Sequence, residues 1–426
     1  MRLIFTILIM LIVPLSGALS QSINGRLVTS GYSWERHEGD NKSSTQFRAA
    51  ETVQLNIGKD DLVLHTYFQG SNDFGSSVTD DPRLRFYNLY LEQKNLFGLA
   101  DIKVGRIPVF SGMAMGAIDG ASVKLKPLDG NVFILGYFGG LTPIDQSLKI
   151  TKDIDKNYMA GFQVGTYYIP NTAVTLGFMT RHRKPQNFYA LRTDTMFNTY
   201  EILIENNSGQ ESFVSLDANY SKGMFSAYGK TDYDINTWHI YRGEINLRYN
   251  IDKSIGLAID YMHREPRTAY NSIFSIFTQK NTDEFGGGVD YLLMNKYNLF
   301  ARYSYVKYED ENTSRLTLGA NSALGAISYS RNFGYVGDLD ALSLDVLYPL
   351  FNRKVIVQGG LSYVTYKYKD DEAKDATSIL LGASFKPTRA ISCDLQGQMM
   401  FNDVYKSDFR IYFKFGYSFF SKLNIL

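Results

Sequence analysis

The stretch from Phe409 to Phe420 near the C-terminus constrains the fold of this chain most strongly. Its apolar and polar side chains alternate with a period of two, which predicts a β-strand between two unlike environments. A strand of about 9 to 11 residues can cross a bilayer at a tilt, so this stretch is long enough to span one. One face carries Phe409, Ile411, Phe413, Phe415, Tyr417 and Phe419, and the other carries Arg410, Tyr412, Lys414, Gly416 and Ser418.

The same alternation continues through the rest of the chain. Ile245, Leu247 and Tyr249, for example, alternate with polar residues. An ionised side chain that faces lipid at mid-depth costs about 2 to 4 kcal/mol, so we expect the charges to share a water-filled lumen. The charges predicted to face it are Arg85, Glu92, Asp101, Lys103, Lys124, Asp217, Glu244, Arg248, Asp260, Arg302, Asp345, Asp394, Arg410 and Lys414.

Short polar turns alternate with longer polar connections, and this pattern predicts the number of strands. It gives about 22 strands, within a range of roughly 18 to 24, because closed barrels of this kind have even strand numbers. The weakest segment is Tyr200 to Ile204, which is strand-like inside the longest connection. The predicted fold is therefore all-β, a single closed antiparallel transmembrane β-barrel. The first strand, Ile23 to Trp34, leaves no room for a plug domain.

The N-terminus has the pattern of a secretory signal peptide. Arg2 precedes the apolar run Leu3 to Leu15, and Ala18 and Ser20 are small residues suited to a cleavage site. The predicted domains are residues 1–20 as a signal peptide and residues 21–426 as an outer-membrane barrel. Cys393 is the single cysteine, which excludes disulfides and cysteine metal clusters and also lipid modification at the cleavage site.

Composition narrows the function classes. The formal net charge is only +1, and no basic patch with stacked aromatics is present, so nucleic acid is not an expected partner. With 31 Tyr and 28 Phe, the chain has the aromatic content of an outer-membrane barrel. A soluble β-sandwich or propeller is the alternative, but the sequence shows neither a blade repeat nor a linker between domains.

One segment, Tyr87 to Lys126, resembles a known family. It contains Tyr90-Leu91-Glu92, then Ile102-Lys103-Val104-Gly105-Arg106, then Gly116, Asp119-Gly120 and Val123-Lys124-Leu125. This series is similar to Gram-negative outer-membrane porins of the alginate-export and phosphate-selective type. The resemblance implies a channel. The C-terminal row of Phe413, Phe415, Tyr417 and Phe419 is also similar to the assembly signal of such barrels, although Ser421 to Leu426 follow it where most members end.

The expected site is a pore constriction built from charged lumen residues. Those chosen are Arg85, Lys103, Arg106, Asp119, Lys124, Arg248 and Arg302. Each of these side chains could instead belong to a solvated wall. The loop Gly139 to Asn157 is the leading candidate to fold inward, with a plain external loop as the alternative. Gly105, Gly116 and Gly120 fit bends of a curved sheet better than contacts with a solute.

The sequence thus predicts a porin that lets small polar or charged solutes diffuse passively, with no enzymatic activity, no metal and no cofactor. A closed surface barrel for adhesion or for a secretion machine is the first alternative. A barrel hydrolase is the second, with His182 and His263 near the outer rim and Glu265 close by. Expected partners are outer-membrane lipid, small solutes and the barrel assembly machinery, and the sequence leaves a homotrimer open.

Overall fold

The structure is a computed structural model. It describes residues 21–38, 43–74, 83–151, 153–184, 188–193, 198–204, 210–266, 280–309, 311–334, 337–368 and 372–423. Residues 1–20, where a signal peptide is predicted, lie outside the described residues.

The strands are β1 (Gln21–Glu38), β2 (Ser43–Lys59), β3 (Leu62–Phe74), β4 (Arg83–Leu96), β5 (Ala100–Ser111), β6 (Ala114–Leu125), β7 (Val132–Leu141), β8 (Asn157–Thr166), β9 (Thr172–Arg183), β10 (Phe188–Thr193), β11 (Thr199–Ile204), β12 (Glu211–Lys222), β13 (Phe225–Asp234), β14 (His239–Asn250), β15 (Ile255–Arg264), β16 (Thr282–Leu293), β17 (Tyr297–Tyr308), β18 (Glu311–Ser322), β19 (Gly325–Gly334), β20 (Asp338–Leu350), β21 (Val355–Lys367), β22 (Lys374–Phe385), β23 (Ile391–Asn402) and β24 (Tyr405–Leu423). A 3-10 turn, Leu128–Gly130, joins β6 to β7.

The sheet closes on itself. β1 pairs antiparallel with β24, from Gln21 beside Leu423 to Glu38 beside Tyr405, and every other barrel strand pairs with its sequence neighbours. β9 pairs directly with β12, so β10 and β11 form a separate hairpin outside the 22-stranded barrel. The predicted closed barrel of 22 strands is confirmed. Tyr200 to Ile204, the weak segment of the strand count, forms most of β11.

The strand register separates an apolar face from a polar face. Phe413 lies beside Gly31 of β1 and Leu395 of β23, and it remains 42% exposed on the outer surface. On the opposite face, Asp408 of β24 lies between the guanidinium groups of Arg36 and Arg410. Because successive side chains of a strand point to opposite faces, this register gives most of the barrel an apolar exterior and a charged lumen.

The two ends of the barrel differ in their connections. One end has only short turns, whereas the other end includes the long connections between β3 and β4, β7 and β8, β9 and β12, and β15 and β16. At that same end, two residues join β5 to β6, β17 to β18 and β23 to β24.

Among the described residues, no helix is both long enough and apolar enough to cross a membrane.

Candidate pore and its inward hairpin

The outer half of the β5–β6 pair, Ile107 to Ile118, leaves the barrel wall. We call it the inward hairpin. Pairing of β4 with β5 runs only as far as Leu89 beside Arg106, and pairing of β6 with β7 reaches only Ile118 beside Leu141. β5 and β6 stay paired with each other up to Ser111 and Ala114. The two strands of the hairpin therefore stay paired with each other, but beyond Arg106 and Ile118 they no longer pair with β4 and β7.

Two glycines lie where the hairpin bends out of the barrel wall. Gly105 has a φ of +128°, and a Cβ there would lie 2.4 Å from the carbonyl oxygen of Leu89. Gly120 lies opposite Gly105, and a Cβ there would come within 2.1 Å of the carbonyl oxygen of Phe138. Larger residues would force these strands apart, so glycine permits both the bend and the close approach.

An apolar core holds the inward hairpin inside the lumen. The hairpin contributes Ile107, Val109, Ala114 and Ile118, which are 0 to 5% exposed. The wall contributes lumen-facing residues of β7, β8, β9 and β12, namely Tyr137, Leu141, Met159, Met179 and Phe213. Each buried aliphatic or aromatic side chain contributes about 1.5 to 3 kcal/mol to the stability of such packing. Because the wall partners face the lumen, the hairpin must lie within the barrel.

The tip of the hairpin contacts β12. A Cβ on Gly112 would lie 2.9 Å from both Cβ and Oγ of Ser215. Ser215 pairs with Asp232 of β13, and Asp232 is 0% exposed. An inward-facing residue of a barrel can be covered only from within the lumen, so the tip shields this part of the wall.

A buried ion pair anchors the base of the hairpin. Arg106 is 5% exposed, and its Nε and Nη2 donate to the two carboxylate oxygens of Asp119 at 2.7 and 2.9 Å. Its remaining donors reach the carbonyl oxygens of Ser147 at 2.6 Å, Phe86 at 3.2 Å and Lys149 at 3.3 Å. This arrangement uses the planar fork of arginine, which pairs with a carboxylate through two parallel hydrogen bonds.

The carbonyls of Ser147 and Lys149 belong to the connection between β7 and β8. We call residues 142–151 and 153–156 the covering segment. Thr142 N donates to Ala117 O of β6 at 3.2 Å, and Phe86 N of β4 donates to Gln146 O at 2.8 Å. The covering segment therefore bridges β4 and β6 where β5 has left the wall. Within it, the Ser147 N–H donates to Asp145 and holds the pKa of Asp145 below its usual value.

The structure places four of the seven predicted site residues in two pairs and the other three at separate positions. Arg106 and Asp119 form the clamp just described, on the hairpin face that meets the covering segment. Arg248 and Arg302 converge on Asp290, with Arg302 donating at 2.8 and 2.7 Å and Arg248 lying 3.4 Å away. These two guanidinium groups and one carboxylate form a charged cluster on the lumen wall.

The other predicted residues lie apart from that cluster. Lys103 Nζ is 3.4 Å from Glu92, which also lies 2.9 Å from His65. Lys124 Nζ lies over the ring of Phe133, 4.9 Å from its centre. Arg85 pairs in register with Gln69 on the lumen face of β4. The structure therefore does not gather the predicted residues into one ring.

A cavity of about 1030 Å³, which we call the opening, lies beside the tip. Phe110 and Met115 line its hairpin side and are 75% and 71% exposed. The charged residues that line it are Asp217, Lys230, Arg242, Arg264, Glu265 and Lys280. Basic groups outnumber acidic groups around this opening.

The inward hairpin and Asp232 are not among the site residues predicted from the sequence. One signal was available for the hairpin, because Ile107, Val109 and Phe110 place apolar side chains on both faces of a strand end.

The histidines are separated in the barrel. His182 lies on β9 and His263 on β15, with β12, β13 and β14 between them. His263 Nδ1 is 2.9 Å from Asp283, which also accepts a hydrogen bond from the hydroxyl of Tyr261. Glu265 instead lies 3.2 Å from His239. Within the described ranges, no group of three metal-ligating side chains is close enough to hold a metal.

Several solved structures align with most of this chain at low identity and with TM-scores below 0.5. The translocation pore of the P pilus usher PapC is 9% identical with a TM-score of 0.48, covering 94% of this chain and 99% of that chain. OccK3 of Pseudomonas aeruginosa is 9% identical with a TM-score of 0.43, and OccAB1 of Acinetobacter baumannii is 12% identical with a TM-score of 0.39; each match covers 93% of this chain and 96% of the other. No family model and no curated protein sequence matches this chain. The resemblance to alginate-export and phosphate-selective porins stays a prediction.

Proposed function

We propose that this protein is an outer-membrane channel through which small polar or charged solutes diffuse passively. The observation that carries the proposal is a closed barrel whose charged lumen is narrowed by the inward hairpin and still holds an opening of about 1030 Å³. Barrels of 16 to 18 strands already enclose an aqueous passage. A barrel of 22 strands therefore needs an internal element to restrict what passes, and the hairpin supplies one.

The membrane placement follows from the two faces of the sheet. A closed sheet leaves no unpaired backbone edge, which is the condition for crossing hydrocarbon with strands. The Phe413 row and its counterparts on neighbouring strands supply the apolar exterior. We assign residues 1–20 as the signal peptide that directs export, and the C-terminal row, Phe413, Phe415, Tyr417 and Phe419, as the signal for the assembly machinery.

The wall charges favour anions. The residues that line the opening include four basic groups, Lys230, Arg242, Arg264 and Lys280, and two carboxylates, those of Asp217 and Glu265; Glu244 and Glu309 outside the lining pair with Arg242 and Lys280. Charges that line a narrow pore set ion preference by lowering the electrostatic barrier for the opposite sign. The expected solutes are therefore small anions that fit beside Phe110 and Met115.

Conductance of the purified protein in a planar bilayer tests the proposal. Stepwise current supports a channel. If, in a salt gradient, the reversal potential of that current lies toward the equilibrium potential of the anion, the channel prefers anions. A silent protein that inserts with a native circular dichroism spectrum would instead support the closed surface barrel. A hydrolase would require that replacing His182 or His263 abolishes a measured activity.

We also propose where a trimer would form. On the outer face of β1, β2 and β3, two adjacent rows contain only small or polar residues: Thr29, Glu51 and Gly70, then Gly31, Ala49 and Asn72. The hydroxyl of Thr29 donates to Glu51 at 2.7 Å. Small residues permit close approach in a membrane, and a carboxylate there needs polar partners. Cross-linking in detergent should give trimers that Glu51→Leu weakens, and a monomer in the unaltered protein would refute the site.

A further inference from the structure

The tip of the inward hairpin lies beside a buried acid that has few partners. Asp232 is 0% exposed; the Ser215 hydroxyl is near enough to interact with its carboxylate, but neither carboxylate oxygen has a hydrogen bond of good geometry among the described residues. Its cross-strand neighbours are Ser215 on β12 and Arg242 on β14. Gly112 of the tip rests on Ser215.

The basic groups near Asp232 lie closer to other carboxylates. On its own strand, Lys230 Nζ is 3.9 Å from Asp232 but 3.4 Å from Asp217 of β12. On β14, Arg242 Nη2 bonds Glu244, and Arg242 Nε is itself buried without a partner. Asp234, two residues along β13, accepts a hydrogen bond from Asn236 N. The hairpin tip, from Phe110 to Met115, carries no charged residue.

This environment discriminates strongly between the two forms of the carboxyl group. Burying the ionised carboxylate costs more than burying the neutral acid, because Lys230 at 3.9 Å and the Ser215 hydroxyl replace only part of its hydration. Displacement of the tip from Ser215 would admit water to Asp232 from the adjoining cavity. Ionisation therefore favours a displaced tip, and protonation favours the tip as it is seated here.

We propose that the inward hairpin is a pH-sensitive gate whose latch is the buried carboxyl of Asp232. At low pH the neutral acid is tolerated under the tip, and the hairpin stays on Ser215 and narrows the lumen. As pH rises, Asp232 ionises and draws in water, and the tip leaves the wall. The apolar core at Ile107 and Ile118 and the clamp at Arg106 keep the base of the hairpin in place. This inference rests on the proposed channel function.

Single-channel recording across a pH series tests the gate with a matched pair of variants. The unaltered protein is expected to pass from a smaller to a larger conductance level as pH rises. Asp232→Asn cannot ionise, so it should lose the larger level at every pH. Asp234→Asn removes the neighbouring acid and should keep the transition. A channel without any pH-dependent level, or an Asp232→Asn variant that keeps it, would overturn the gate, whereas a silent protein would overturn the channel function.

Thiol accessibility supplies a readout that does not depend on current. In a Cys393→Ala background, Ser215→Cys places a thiol beneath the tip, and Ala326→Cys places one on the open lumen wall of β19. The ratio of labelling rates at the two sites by a water-soluble reagent corrects for the pH dependence of thiol reactivity. The ratio should rise with pH, and the rise should disappear when Asp232→Asn is added. A ratio that stays constant with pH would show that the tip does not move, and would refute the gate.

Discussion

Replacing Arg106 with methionine should release the covering segment. The variant keeps an unbranched side chain of similar length but leaves the Asp119 carboxylate, 13% exposed, without its two hydrogen bonds. Removing one partner of a buried ion pair costs about 3 to 5 kcal/mol. The carbonyls of Ser147 and Phe86 also lose a donor.

The lost stability should appear as local opening of the covering segment and not as unfolding of the barrel. The amides of Phe86 and Thr142 hold the covering segment to β4 and β6, and they report its opening directly. At about 1.4 kcal/mol for each tenfold change, the full cost of about 3 to 5 kcal/mol would accelerate their hydrogen exchange by about 100- to 4,000-fold. Exchange measured by mass spectrometry on peptides that contain these amides gives the ratio.

Two further variants make this test specific. Arg248→Met removes a half-exposed arginine 3.4 Å from Asp290, and a pair of that kind is worth about 1 kcal/mol or less. Adding Asp119→Leu to Arg106→Met removes the orphaned carboxylate and should restore part of the protection. Unchanged exchange at Phe86 and Thr142 in Arg106→Met would refute the role assigned to the clamp.

Three other predictions concern the wall and the opening. Phe413→Lys should lower barrel stability by about 2 to 4 kcal/mol because it places a charge against lipid, whereas Tyr412→Lys on the lumen face should be tolerated; urea unfolding in lipid vesicles compares them. Asp290→Asn removes the carboxylate between two arginines and should strengthen anion preference, seen as a shift of the reversal potential in a salt gradient. Replacing Phe110 and Met115 together with alanine should enlarge the opening and raise conductance, and an unchanged conductance would exclude these side chains from the narrowest part of the path.

Much of the barrel was predictable because its causes are local. Alternation in the Phe409 to Phe420 stretch reports the environment of each face directly, since neighbouring side chains of a strand point in opposite directions. Turns such as Pro127 to Asn131 break that alternation with recognisable residue types. Counting strands between them therefore gave the closed barrel of 22 strands.

The predicted site was less complete because it depended on which neighbours each strand keeps. The alternation of side chains cannot show that the pairing of β5 with β4 ends at Arg106. It therefore predicted that the residues beyond Arg106 lie in the barrel wall, where the chain in fact folds inward. The loop Gly139 to Asn157 was expected as the leading candidate to fold inward, but the covering segment instead fills the wall between β4 and β6. Arg106 and Asp119 could be chosen as site residues from the sequence because they are charged. Which groups they contact depends on the bend of the hairpin, which the sequence does not show.

The amino-acid sequence alone therefore determined the two faces of the sheet and the number of strands, because both follow from period-two patterning and turn chemistry. The tertiary structure decided where the lumen is narrowed and which acid is buried beneath the narrowing. Those features arise from packing between residues far apart in the chain, such as Gly112 against Ser215, and Ile107 and Phe213 within one core. A local pattern carries no information about such contacts, since the same apolar strand end could pack on a wall, on lipid or on a second copy.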